Sequence, residues 1–159
     1  DFCMKNKDIV NNEVMDINLF GSILGCQFIG KEMLKRKKGS IINIASMYGI
    51  KSPKHFIYPG TGISAPLTYA LSKSSVVMLT KYLGTLFAKN GVRVNSISPG
   101  GIQQSSHSKK WLKRFASMCP SKRMGKPNEL FGAILYLSSD MSSYSNASNI
   151  VVDGGWTSW

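Results

Sequence analysis

Gly39-Ser40-Ile41-Ile42-Asn43-Ile44-Ala45-Ser46 is the stretch on which the reading of this chain turns. Ser40 to Ala45 is short, rich in β-branched residues and set off by a glycine, so it reads as a strand. Two further runs of this kind follow. Val92 to Ile97 is ended by Ser98-Pro99-Gly100-Gly101, and Asn149 to Val152 by Asp153-Gly154-Gly155. The segments between them have helical length and pattern. Asn11 to Lys38 reads as one long helix, capped by Asn11 or Asn12, with Glu13 in its first turn. Lys35, Arg36, Lys37 and Lys38 fill its last turn, where the helix dipole favours cations, and Gly39 suits the left-handed closing position. Leu67 to Lys89 reads as a second long helix, with Pro66 at its start and Asn90-Gly91 at its end.

Strands that alternate with long helices imply right-handed crossovers and a parallel sheet covered on both faces. Three strands are few for such a sheet. The fold class expected is therefore α/β, a partial, Rossmann-like, doubly wound parallel sheet forming a single domain over residues 1–159. With Asp1 in first place, the chain reads as beginning partway through something. Both long helices carry apolar residues on more than one stripe. Ile17, Phe20, Ile23, Leu24, Phe28, Met33 and Leu34 lie on the first. On the second, Leu79, Leu83 and Phe87 form one row and Met78, Tyr82 and Leu86 another. Helices of this kind are expected to be buried on two sides. Gln103 to Lys126 is a polar, basic, lid-like segment with a short helix around Lys109 to Ser117. Pro127 to Ser138 reads as a helix with Leu130, Ala133, Ile134 and Leu137 on one face.

Composition sets outer bounds. Hydrophobic residues make up 43% and charged residues 18%, a soluble globular balance. No apolar run reaches the ~18–20 residues of a membrane span, and no secretory signal is visible. Cys3, Cys26 and Cys119 stand in no metal-like spacing, and Cys26 reads as a small core residue, so reduced thiols in the cytoplasm fit best. His55 and His107 stand alone, and no metal site is expected. The net charge of +12 is compatible with a polyanionic partner, with the surface habit of a basic proteome, or with an imbalance left by truncation.

Tyr69 and Lys73 lie four apart on the second helix and share a face. A free phenol, with a pKa of about 10, is a poor base near neutrality. A cation ~4 Å away is worth at most a few kcal/mol at moderate dielectric, enough to move it by about a unit or more. Ser46 and Pro99-Gly100 end neighbouring strands at the carboxyl edge, where parallel α/β sheets place their sites. Asn18 sits among apolar residues of the first helix and needs a partner there. Each position taken singly also has a plain structural reading: a surface pair, a loop serine, a turn, a structural hydrogen bond.

Together these positions resemble the short-chain dehydrogenase/reductase family in its compact single-domain branch. The matches run in family order: Ile17-Asn18-Leu19-Phe20-Gly21, Gly39 to Ser46, Tyr69-Ala70-Leu71-Ser72-Lys73, Arg93 to Gly100, Gly125-Lys126-Pro127-Asn128-Glu129-Leu130, and Val151-Val152-Asp153-Gly154-Gly155. The resemblance implies an NAD- or NADP-dependent oxidoreductase. Tyr69 would be the acid/base, Lys73 would lower its pKa and hold the nicotinamide ribose, and Ser46 would position the substrate oxygen. Asn18 would help hold a relay water leading to Lys73. Pro99, Gly100 and Ile102, with Tyr69 and Lys73, would border the cofactor. The two long helices match the pair with which this family builds a homo-oligomer.

The stretch from Ser46 to Tyr69, with Tyr48-Gly49, Tyr58-Pro59-Gly60 and Ser64-Ala65-Pro66, looks like a bacterial subgroup of surface-glycan and flagellin sugar biosynthesis. A sugar or nucleotide-sugar substrate is implied, with Lys109, Lys110, Lys113, Arg114, Lys122, Arg123 and Lys126 able to meet phosphates or simply forming a solvated face. The family's Gly-rich phosphate turn, its cofactor-selecting residue and its Asn-Asn-Ala-Gly segment are not among these 159 residues. Gln104 stands where a Thr usually follows the Pro-Gly. The alternative reading is therefore a truncated non-catalytic remnant or dimerising interaction module without cofactor binding. A nucleic-acid binder is weakest, because the basic residues carry no groove-reading or stacking motif.

Overall fold

The computed structural model describes residues 12–159. Its helices are α1 (Asn12–Met15), α2 (Gly21–Arg36), α3 (Leu67–Phe87), α4 (Lys109–Met118) and α5 (Phe131–Ser138), and its strands β1 (Gly39–Ile44), β2 (Val92–Pro99) and β3 (Asn149–Val152). The strands form one parallel sheet in the order β1-β2-β3, with Ile44 opposite Ile97 and Pro99 opposite Val152. The α/β class and partial parallel sheet expected from the sequence are what the chain forms. Among the described residues β1 pairs on its β2 side alone.

The pleat sorts side chains between two layers. Ile41, Val92 and Val94 pack with Phe87, Leu83, Met33 and Leu34, so α2 and α3 cover that face. Asn43 faces the same way: its amide donates to the Thr80 hydroxyl at 3.0 Å and its carbonyl accepts from the buried Cys26 thiol at 3.4 Å. Cys26 is a small core residue, and burial pushes its thiol pKa up. Ser40 and Arg93 point to the other layer. The Ser40 hydroxyl donates to the Leu137 carbonyl at 2.7 Å, and the Arg93 guanidinium donates to the carbonyls of Leu137, Ser139 and Ser145. One strand cation thus adds donors to carbonyls at and beyond the end of α5, a role matched by its five fixed donors.

Four local expectations are corrected. The first helix is not uniform: a π-helical turn, Asp16–Phe20, separates α1 from α2 and contains Asn18. Gly39 does not close that helix. Lys37 takes the left-handed conformation, with the Lys37 and Lys38 amides bonded back to Leu34 and Met33, while Gly39 is the first residue of β1. Glycine is required there for another reason, since a Cβ would run into the Met33 side chain. Of the two residues expected to cap the first helix, Asn11 lies outside the described residues and Asn12 is the first residue of α1.

The third correction concerns burial. Met33 and Leu34 on α2, and Leu83 and Phe87 on α3, pack on the sheet. The second rows do not: Ile17, Phe20, Leu24 and Phe28, and Met78, Tyr82 and Leu86, are all more than half exposed. Those rows lie exposed, and among the described residues the sheet does not cover them. Fourth, the last helix opens as a 3-10 turn (Pro127–Leu130) before α5. Among the described residues no helix is long and apolar enough to cross a membrane.

Replacing Arg93 by Met keeps the aliphatic stem and removes the donors to three carbonyls. We expect a loss of about 1.5–3 kcal/mol in unfolding free energy, read from urea denaturation.

Candidate active site

Three backbone elements deliver the residues at the carboxyl edge. β1 runs into a 3-10 turn (Met47–Gly49) at Ser46, whose hydroxyl accepts the Tyr48 amide at 3.2 Å while its carbonyl accepts the Gly49 amide. A hydroxyl has one proton and two lone pairs. The turn uses a lone pair of Ser46, and its proton stays available to donate. Gly49 lies against α3 so closely that a Cβ would stand 2.7 Å from the Lys73 carbonyl oxygen. That contact fixes the Ser46 turn relative to Lys73.

On α3, Tyr69 and Lys73 share a face. The Lys73 ammonium donates to the Ile44 carbonyl at 3.0 Å and lies 5.9 Å from the centre of the Tyr69 ring. Burial lowers the Lys73 pKa below its ordinary 10.5. β2 supplies Pro99, and Gly100 follows, its amide donating to Val152. Ile102 then pairs with Gly125 in an isolated parallel bridge.

Ser46, Tyr69, Lys73, Pro99, Gly100 and Ile102 all line one cleft of about 340 Å³. Asn18 is not in it. Its amide donates to Ser72 Oγ at 3.2 Å, and Ser72 in turn donates to the Tyr69 carbonyl at 2.8 Å. Asn18 therefore braces the turn of α3 that carries Tyr69. Among the described residues no carboxylate lines the cleft, and Lys73 and His107 are its ionisable nitrogens.

The far wall was not foreseen as a wall. Trp111 and Phe115, on α4, are buried with Met47, Ile57, Cys119, Met124 and Trp156 in one cluster. Rings follow one another from Tyr58 to Trp111 (5.1 Å between centres), Phe115 (5.8 Å) and Trp156 (4.3 Å, stacked). The spacing of Trp111, Phe115 and Cys119 at i, i+4 and i+8 was the available signal. Arg114 donates to the Ile57 and Pro59 carbonyls, and Arg123 forms a double ion pair with Glu129, whose carboxyl that arginine and the Lys126 amide hold down to about 2. Two of the seven basic residues considered for phosphate binding are thus engaged within the chain.

The family described as enoyl-(acyl carrier protein) reductase matches residues 5–157. This chain belongs to the short-chain dehydrogenase/reductase family. It is 32% identical to an NADH-dependent L-xylulose reductase of Ambrosiozyma monospora, over all of this chain and 57% of that protein. It is 31% identical to the post-translational flagellin modification protein A of Campylobacter coli, over 91% of this chain and 56% of that one. A short-chain dehydrogenase from Leptospira borgpetersenii with bound NAD+ superposes with a TM-score of 0.86 at 33% identity, covering 98% of this chain and 59% of that one. A gluconate 5-dehydrogenase from Burkholderia cenocepacia in complex with NADP and tartrate gives 0.82 at 27% identity, covering 99% and 59%. The chain spans less than two thirds of the length of each of these relatives.

The buried lysine has a consequence for stability. The unfolded chain holds its Lys73 proton up to about 10.5, and the folded chain releases it sooner. The unfolded state binds more protons in that interval, so stability rises with pH between the depressed value and 10.5. Denaturation midpoints followed across that interval should climb in the wild type relative to Lys73→Met, which lacks the group; parallel curves would contradict this.

Proposed function

We propose that this chain carries the proton-transfer site of a nicotinamide-dependent oxidoreductase acting on a sugar-like alcohol or ketone. The observation that supports this best is the convergence of Ser46, Tyr69 and Lys73 in one carboxylate-free cleft at the carboxyl edge of a parallel sheet. The cleft fits the nicotinamide-ribose end of NAD or NADP: Lys73 and Tyr69 would present polar groups to a ribose, and Pro99 to Ile102 would border the ring. The diphosphate would be held by a Gly-rich turn of the longer protein.

A nicotinamide held there would supply or accept the hydride. The chain's own residues handle the oxygen. Ser46 donates its free proton to the substrate oxygen and orients it. In reduction Tyr69 gives its phenolic proton to that oxygen as the carbon gains hydride; in oxidation it takes the alcohol proton. Lys73 sets a positive charge beside the Tyr69 ring and would donate to the cofactor's ribose. Asn18, through Ser72, keeps Tyr69 in place. The relatives' names point to small polyols, ketoses and sugar acids, and with Arg114 and Arg123 already engaged a nucleotide sugar is the less favoured substrate.

In the longer protein, Tyr69→Phe should lower kcat by ~10²–10⁴-fold with thermal stability unchanged. Retained turnover, followed at the nicotinamide absorbance, would remove Tyr69 from the mechanism and favour the non-catalytic alternative.

The open apolar rows on α2 and α3 support a homo-oligomer in which they meet a second copy. Two parallel rows of Leu, Phe, Met and Tyr exceed what a monomer surface leaves to water without use. Leu24→Asp combined with Met78→Glu should weaken self-association by ~10-fold or more in sedimentation velocity. An unchanged distribution would assign those faces to another part of the chain.

A further inference from the structure

Between β1 and α3 the loop carries two tyrosines that the proton-transfer site does not use. Tyr48 stands two residues beyond Ser46 on the 3-10 turn, and Tyr58 follows a second one (His55–Ile57). Their hydroxyls are hydrogen-bonded to each other. Both line the cleft that holds Ser46, Tyr69 and Lys73, and both also line a larger neighbouring groove of about 1200 Å³. The pair, with Ile63 and Ser64, therefore forms the partition between the reaction cleft and the open space beside it.

The partition is held from several sides. The Tyr58 ring packs against Trp111. Thr61 donates its amide and its hydroxyl to the Tyr58 carbonyl, and Arg114 reaches the carbonyls of Ile57 and Pro59 on either side of it. Tyr48 sits on the turn fixed by Ser46 and by the contact of Gly49 with α3.

We infer that the Tyr48–Tyr58 hydroxyl pair selects polyhydroxylated substrates by hydrogen-bonding a substrate hydroxyl next to the reacting carbon. The inference rests on the oxidoreductase reading above. Two phenols hold two protons and four lone pairs, and their mutual bond uses one proton and one lone pair. One donor and three acceptor positions remain, in a cleft that Trp111, Phe115, Met47 and Ile63 also line. A substrate hydroxyl both donates and accepts, and so matches that remainder; a methylene in its place leaves the pair unanswered. Burial keeps both phenols in the protonated form, raising Tyr48 with the help of its bond to Tyr58, and raising Tyr58 against the opposite effect of its bond to Tyr48. Trp111, on the same wall, has a buried indole N–H with no partner among the described residues, a further donor suited to an oxygen-rich ligand. A site built to bond a hydroxyl discriminates strongly against the analogue that lacks it, because its own polar groups are then left unpaired.

The test uses the longer protein and steady-state kinetics on C4–C6 ketoses, on the deoxy analogue lacking the hydroxyl next to the carbonyl, and on simple cyclic ketones. The wild type should prefer the ketose over its deoxy analogue by ~10-fold or more in kcat/KM. Tyr48→Phe and Tyr58→Phe, which keep both rings, should lower kcat/KM for the ketose ~10-fold or more and leave the deoxy analogue within about threefold. Equal losses on both substrates, or no loss on either, would overturn the selective role and leave the pair a structural brace. The substrate arm in the wild type needs no variant, so a poorly folding mutant does not blunt it: equal rates for ketose and deoxy analogue overturn the inference directly. Turnover of simple ketones alone overturns the inference while the oxidoreductase reading stands. No turnover of any carbonyl overturns that reading itself.

Discussion

The close approach of the end of β1 to α3 is the contact on which the site depends. Sheet register places Ser46, and helix register places Tyr69 and Lys73 on one face, but neither register brings the two sets together. Gly49 does so by lying where a Cβ would meet the Lys73 carbonyl at 2.7 Å, and Lys73 returns the contact by donating to Ile44. Ala45 packs on Val76 and Val77 one turn further along α3, and Asn43 bonds Thr80 beyond that. Strand and helix are thus fastened at successive turns. The serine hydroxyl, the phenol and the ammonium are held by groups that cannot slide independently, which is what proton transfer over hydrogen-bond distances demands.

A second set of contacts fixes the opposite wall. The ring series from Tyr58 to Trp156 ties the β1–α3 loop to α4 and α4 to the segment after β3. That segment is itself pinned, since the Asp153 carboxylate accepts the amides of Gly155 and Thr157 and the Thr157 hydroxyl, and Lys54 lies over the rings of Trp156 and Trp159. A segment that reads as a basic lid is therefore basic only on its outer side. Its inner side is a packed aromatic layer, and an element anchored by Trp111 and Phe115 is expected to move less than a polar flap.

This division explains what the sequence could and could not reveal. Parallel strands and long helices announce themselves through periods of 2 and 3.6, and the Tyr69/Lys73 spacing survives because both residues belong to one helix. The role of Gly39 was invisible because it comes from Met33, a neighbour only after folding. The apolar rows of α2 and α3 were legible, but burial on both faces was not: one row on each helix packs on the sheet and the other is exposed. Asn18 was legible as a polar residue needing a partner, but that partner is Ser72, 54 positions away. The tyrosine pair was visible as two separate motifs in a long loop. Nothing in their spacing of 10 residues announces a mutual bond, because irregular backbone has no period to read.

The net charge of +12 takes on a different meaning once the cations are located. Arg93 serves the end of α5, Arg114 the Tyr58 loop and Arg123 the Glu129 carboxylate, so three arginines act as donors within the chain. Lys35, Arg36 and Lys37 lie exposed around the last turn of α2, where the helix dipole favours them. Among the described residues the cleft takes a single lysine, and burial works against that lysine's charge. Basicity is thus a property of this molecule's surface and of its helix ends, while the site is nearly neutral and bounded by aromatic rings and hydroxyls. A neutral ligand rich in hydroxyls suits such a cleft better than a polyanion does, because hydroxyls meet directional donors and acceptors there, whereas a phosphate would have to leave water for a single weakened cation.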